Sequence, residues 1–176
     1  MKKKCIMLLV LGLLLLATTG CGMEAYFNKQ NNATGTEEKE LPKMELNEPF
    51  LVTTVTGDYS LTINGARITP QRNEKLTTNP KQVVFLDYTY ANISYEKRSN
   101  IDFFLAQGDF VVSDGDGNRL VAYDLKDPNR MIKETPIGDT CSASIAYGLE
   151  TDSNHLTVTF VRGKGREIAQ ITIPIK

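Results

Sequence analysis

Hydrophobic and polar positions divide the chain into three regimes. The first is an unbroken apolar run from Cys5 to Ala17, preceded by Lys2, Lys3 and Lys4 and followed by Thr18-Thr19-Gly20-Cys21. A membrane-spanning helix needs about 20 apolar residues, and this run has 13. Lysines in front and small residues behind give it the layout of a signal peptide over residues 1–20. The second regime, residues 22–48, is rich in Asn, Gln, Thr, Glu and Lys, with Asn28-Lys29-Gln30-Asn31-Asn32 and Glu37-Glu38-Lys39-Glu40 as its most polar parts. Such a stretch buries too little apolar surface to fold. It is expected to act as a flexible linker with a reach of roughly 30 Å.

After Glu48 the period changes to two. Tyr59-Ser60-Leu61-Thr62-Ile63 alternates and meets Asn64-Gly65, a dipeptide suited to a tight hairpin turn. Val84, Leu86, Tyr88 and Tyr90 form one face of the strongest predicted strand, with Asp87 and Thr89 on the other. Further alternating or apolar runs lie at 101–105, 110–113, 120–123, 140–147, 156–161 and 168–175, separated by Asp-, Asn-, Gly- and Pro-rich turn signals. No segment sustains a helical period, although residues 127–134 could form a single turn. Many short strands in one domain of this length predict an all-β, immunoglobulin-like two-sheet antiparallel sandwich over residues 49–176. The chain has no tryptophan, so its core is expected to be built from Val, Ile, Leu, Phe and Tyr.

Two resemblances sharpen this outline. Gly20-Cys21 behind the apolar run resembles the lipobox of bacterial lipoproteins, although Thr18 stands where an aliphatic residue is commoner. That resemblance implies a diacylated Cys21 as the mature N-terminus, and several acyl chains hold a protein on a membrane durably. Further along, Tyr59 to Ile68, the run Val83 to Ser94, the run Asp109 to Asn118 and Pro136-Ile137-Gly138-Asp139 look like successive landmarks of an immunoglobulin-like domain of unknown function. That domain is common in Gram-positive surface lipoproteins and is related to secreted immunoprotective-antigen-like β-sandwiches. The likeness covers about residues 48–176. It implies a fold and a place on the extracellular face of the cell membrane, and it brings no catalytic residue with it.

Charge narrows the partners. Losing Lys2, Lys3 and Lys4 with the signal takes the formal net charge from −1 to −4, so nucleic acid is not an expected partner. The expected partners are the membrane, through the lipid anchor, and an envelope protein or anionic wall polymer. Of the three cysteines, Cys5 leaves with the signal and Cys21 takes the lipid, which leaves Cys141 as the single thiol of the domain. In Thr140-Cys141-Ser142-Ala143-Ser144-Ile145-Ala146-Tyr147 it falls on the more apolar face and reads as a small buried hydrophobe.

Candidate chemistry is sparse. Arg162-Gly163-Lys164-Gly165-Arg166 sets three cations on an expected hairpin tip, suited to phosphates of a wall polymer or of lipid headgroups. Tyr95, in a loop beside Glu96, Lys97 and Arg98, is a candidate contact residue. Asp114, Asp116 and Asn118 have the spacing that opens a calcium loop, but Arg119 and Leu125 stand where an EF-hand loop wants Gly and Glu. A turn that bonds its own backbone fits those residues better, and calcium or small-ligand binding is the alternative function. His155 is the only histidine, which counts against a multi-histidine zinc site, and no Gly-x-Ser-x-Gly elbow presents a serine. The expectation is a non-catalytic, lipid-anchored module without a cofactor.

Overall fold

The computed structural model describes residues 40–96 and 100–176. Residues 1–20, Cys21 and most of the expected linker fall outside that range, as do Lys97 and Arg98. Among the described residues, seven strands form two wholly antiparallel sheets. In order they are β1 (Phe50–Thr54), β2 (Gly57–Thr69), β3 (Gln82–Asn92), β4 (Phe110–Asp114), β5 (Thr140–Leu149), β6 (His155–Arg162) and β7 (Arg166–Pro174). One sheet has the order β1-β2-β3-β5 and the other β4-β6-β7.

Their inner faces share a single core. Leu61 and Ile63 of β2, Val84, Leu86, Tyr88 and Tyr90 of β3, and Ala143, Ile145 and Tyr147 of β5 pack against Val112, Val158, Phe160, Ala169 and Ile171. The period-two pattern accounts for this directly, because alternate side chains of a strand face one side of the sheet. The same logic puts Asp87 and Thr89 on the outside. Val83 and Phe85 also point outward yet are buried, because Tyr123 and Leu125 cover them in a small second cluster.

Several expectations are corrected. Asn64-Gly65 makes no hairpin turn. It lies inside β2, where the register against β3 shifts between Ile63 and Gly65. Asn64 is tied there by its side-chain oxygen, which accepts from the Thr89 hydroxyl at 2.7 Å. With β3 continuing alongside, the dipeptide becomes a bulge, and the hairpin turn falls at Val55-Thr56, between β1 and β2. The runs at 101–105 and 120–123 are not strands and carry isolated bridges instead, among them Phe103 to Thr135 and Ala122 to Tyr147. Residues 127–130 close a hydrogen-bonded turn, with the Arg130 N–H donating to the Asp127 carbonyl.

The folded unit also begins before residue 49. Pro42–Met44 runs parallel to β7: the Gln170 N–H donates to the Pro42 carbonyl and the Met44 N–H to the Gln170 carbonyl, both at 2.9 Å. Met44 is buried against the core. Composition hid this because one methionine and a few backbone bonds decide it. The segment covers an edge that would otherwise present unpaired backbone groups. Arg119-Leu120 does the same for β4 and Tyr123 for β5, and the far half of β2 is covered by Asn47 and Lys176.

Candidate functional site

The sandwich has two ends. One carries the β1–β2 turn, the loop after β3, the start of β5 and the β6–β7 turn. The other carries the β2–β3 loop, the turn after β4 and the β5–β6 turn. Two of the residues singled out in the sequence, Tyr95 and Arg162, meet at the first end. Arg162 closes β6 and its Nη1 donates to Asp109 Oδ1 at 2.5 Å. Asp109 comes from a 3-10 turn at Gln107–Asp109 that leads into β4. The guanidinium carbon lies 5.5 Å from the ring centre of Tyr59 and 6.0 Å from that of Phe103, within cation–π range. Tyr95 completes the group, edge-on to Tyr59 at 5.6 Å and tilted against Phe103 at 5.3 Å.

Asn92 positions Tyr95. Its side-chain oxygen accepts from the Tyr95 N–H at 2.8 Å, and its amide donates to the carbonyls of Tyr95 and Thr135 at 3.1 and 2.9 Å. Gly57 makes the close approach possible. Its φ is +115°, and a Cβ there would sit 2.0 Å from the Ser94 carbonyl oxygen. Neither Asn92, Gly57 nor Asp109 stood out as a functional residue in the sequence.

Burial disfavours the Arg162 charge, but the neighbouring Asp109 carboxylate more than restores it. With side-chain exposures of 27% and 18%, Arg162 and Asp109 form a half-buried pair. Among the described residues Asp109 is the sole ionic partner of Arg162 and occupies one of its nitrogens. Shallow clefts of about 280 and 240 Å³ flank the pair, and Tyr95 and Arg162 line both. Gly163 and Arg166 border the smaller cleft together with Thr53, Thr54 and Thr56. Lys164 and Arg166 are exposed and have no salt-bridge partner among the described residues. Lys164 takes a φ of 57° between Gly163 and Gly165, both also at positive φ, as a tight tip requires.

Asp114 serves its own turn. Oδ1 accepts from the N–H groups of Asp116 and Asn118 at 3.0 and 2.8 Å, and Oδ2 accepts from the Asn118 amide and the Thr151 hydroxyl at 3.1 and 2.9 Å. Burial disfavours its charged form, yet the bonds from Asn118, Thr151 and Asp116 outweigh that and hold the carboxyl below the ordinary Asp value. Both carboxylate oxygens are therefore engaged. Among the described residues no three His, Cys, Asp or Glu side chains gather as a metal site.

Cys141, Ala143, Ile145 and Tyr147 share the core face as expected. The thiol is 8% exposed and borders an open hollow of about 440 Å³ with Met131, Lys133 and Asp139. The thiol donates to the Met131 carbonyl at 3.6 Å. His155 begins β6 at the opposite end, bonded to Asn154, while the Ser153 hydroxyl donates to the His155 backbone carbonyl. Among the described residues no hydrogen bond joins a cysteine or serine side chain to the His155 ring.

No protein-family model matches the chain, and no curated protein does. A secreted protein of Mycobacterium tuberculosis, MPT63, superposes with a TM-score of 0.57 at 12% identity, over 75% of this chain and 97% of that one. A candidate lipoprotein of Bacillus subtilis, ycdA, gives a TM-score of 0.48 at 11% identity, over 76% of this chain and 39% of its own length. At such identities a likeness shows the fold alone. The MPT63 match supports the immunoglobulin-like two-sheet sandwich.

Proposed function

We propose that this chain is a non-catalytic lipoprotein, held on the extracellular face of the cell membrane by lipid on Cys21, which binds an anionic component of the envelope through the end of the sandwich bearing Tyr95, Arg162, Lys164 and Arg166. The convergence of Tyr95 and Arg162, distant in sequence, on one cleft carries this reading. A guanidinium with donors to spare, a tyrosine and threonine hydroxyls can hold an anion or a polyol.

Expression of the full chain in bacteria fed an alkyne fatty acid tests the anchor. The wild type should be labelled and sediment with membranes, and Cys21→Ala should lose both properties. Equal labelling of the variant would refute the anchoring step. Crosslinking in intact cells tests the site. Arg162→Ala, with Asp109→Ala added so that no charge is left unpaired, should lower capture of the envelope partner.

A further inference from the structure

Between β4 and β5 the side of the sandwich is closed by a strap, residues 119–123, which follows the turn at 114–118 and is tied first to one sheet and then to the other. The Leu120 N–H donates to the Val112 carbonyl and the Tyr123 N–H to the Ala146 carbonyl, each at 2.8 Å. Val121 stands between these ties and is 80% exposed. Beside the strap lies an open cleft of about 360 Å³, at the small end of the range of about 300–1,000 Å³ usual for ligand pockets. Phe110, Val111, Leu120, Val121, Ala122 and Val161 give it apolar walls. None of its lining residues lines the clefts at Tyr95 and Arg162.

Tyr147 borders this cleft from within. It stands on the core face of β5, so its ring projects between the sheets, and the residue is only 3% exposed. Among the described residues its hydroxyl is the one buried side-chain nitrogen or oxygen with no hydrogen-bond partner. An unpaired buried hydroxyl is costly, and such groups in native proteins nearly always have a partner. Water suits the place poorly. A buried water is held by about two to four polar groups, whereas the other polar side chains of the cleft, Gln107 and Arg119, are exposed and solvated. An oxygen carried on an apolar body fits better, because the body covers the apolar walls while the oxygen meets the hydroxyl. Burial opposes ionisation of Tyr147, so the hydroxyl keeps its proton and donates. An ionised acceptor would have to shed its water against apolar walls, which selects an uncharged one.

We propose that this cleft binds a small neutral molecule with an apolar body and a carbonyl, ester or hydroxyl oxygen, which accepts a hydrogen bond from the Tyr147 hydroxyl while Leu120, Val121 and Val161 cover the body. The hydroxyl is closed from water in the free protein. Binding therefore parts the wall between the two ties of the strap, and Val121 moves with it.

Benzophenone is both a molecule of this class and a photochemical crosslinker. The purified full chain is irradiated with it, and the modified residues are mapped by mass spectrometry. Modification should concentrate on Val111, Leu120 and Val121. Tyr147→Phe keeps the ring and removes only the oxygen, so it should lower this modification several-fold while the melting temperature is unchanged or raised. Val121→Asp, a change at an exposed position that leaves the core intact, should lower it as well. Acetophenone should displace the probe at lower concentration than ethylbenzene, its counterpart without the oxygen. The inference is overturned if wild type and Tyr147→Phe are modified equally, if the two competitors displace the probe equally, or if the strap is left unmodified. The first two results describe an apolar patch without the anchor, and the third a hydroxyl served by ordered water alone.

Discussion

Asn92 binds two segments of the loop end at once through three hydrogen bonds from one buried amide. Asn92→Ala would leave the Tyr95 N–H and the Thr135 carbonyl without these partners, at about 1–3 kcal/mol for each group that water cannot reach. Thermal unfolding of the variant should therefore show a marked fall in stability, with Tyr95 displaced from Phe103. Tyr147 presents the opposite case. Among the described residues its hydroxyl is the only buried side-chain nitrogen or oxygen without a partner, and burial pushes its pKa above the ordinary tyrosine value. Tyr147→Phe removes an unsatisfied group and should leave stability unchanged or raise it by up to about 1 kcal/mol in denaturant titration. Asp114 sets an acid limit. Its folded-state pKa lies below the ordinary Asp value of 3.8, so its contribution is present above that value and is lost as pH falls through the folded-state value. Asp114→Asn should flatten stability against pH in this acid range, and an unchanged profile would show that other carboxylates dominate there. Ser144 points outward as its register requires, but it is not idle. It donates to Asp87 Oδ1 at 2.5 Å and accepts from Arg130 Nε at 3.0 Å, within a network that includes Arg67 and Asp127.

Among the elements, the lead-in segment and the β1–β2 turn have the clearest consequences. A chain that begins at residue 49 would lose Met44 from the core and uncover β7. The loss of a buried methionine side chain costs about 2–5 kcal/mol on the scale of core truncations, and a bare edge invites association between copies. A truncation starting at residue 40 should melt well above one starting at residue 49, and only the shorter should show concentration-dependent light scattering. Gly57→Ala forces a Cβ into the Ser94 carbonyl at a positive φ, so the loop after β3 must move away. Its effect should appear as lost protection of the Ile93, Ser94 and Glu96 amides in hydrogen exchange, since these bond to Asp58 and Thr56. The core amides of β6 should keep theirs until global unfolding.

At the scale of the molecule, the two poles of the sandwich are chemically unlike. The pole at the turn after β4 is sealed by Asp114, Thr151 and Ser153, which satisfy backbone and side-chain groups internally. The other pole leaves cations, hydroxyls and aliphatic tips open. Because Asp114 already has four donors, excess calcium and chelator should give the same melting temperature, whereas a bound ion would raise it by mass action.

The period-two runs determined the strands that build the core, since an alternating segment has only one face it can bury. They located β3 to β7, the inward face of Cys141 and the two-sheet class. Tertiary structure decided what depends on neighbours distant in sequence. Asn64-Gly65 became a bulge because β3 continued beside it, and Pro42–Met44 became an edge because β7 left its backbone groups open on that side. The same holds for the site. Arg162 belonged to a charged tip in the sequence, and only the packing of Asp109, Tyr59, Phe103 and Tyr95 around it turned that cation into the wall of a cleft.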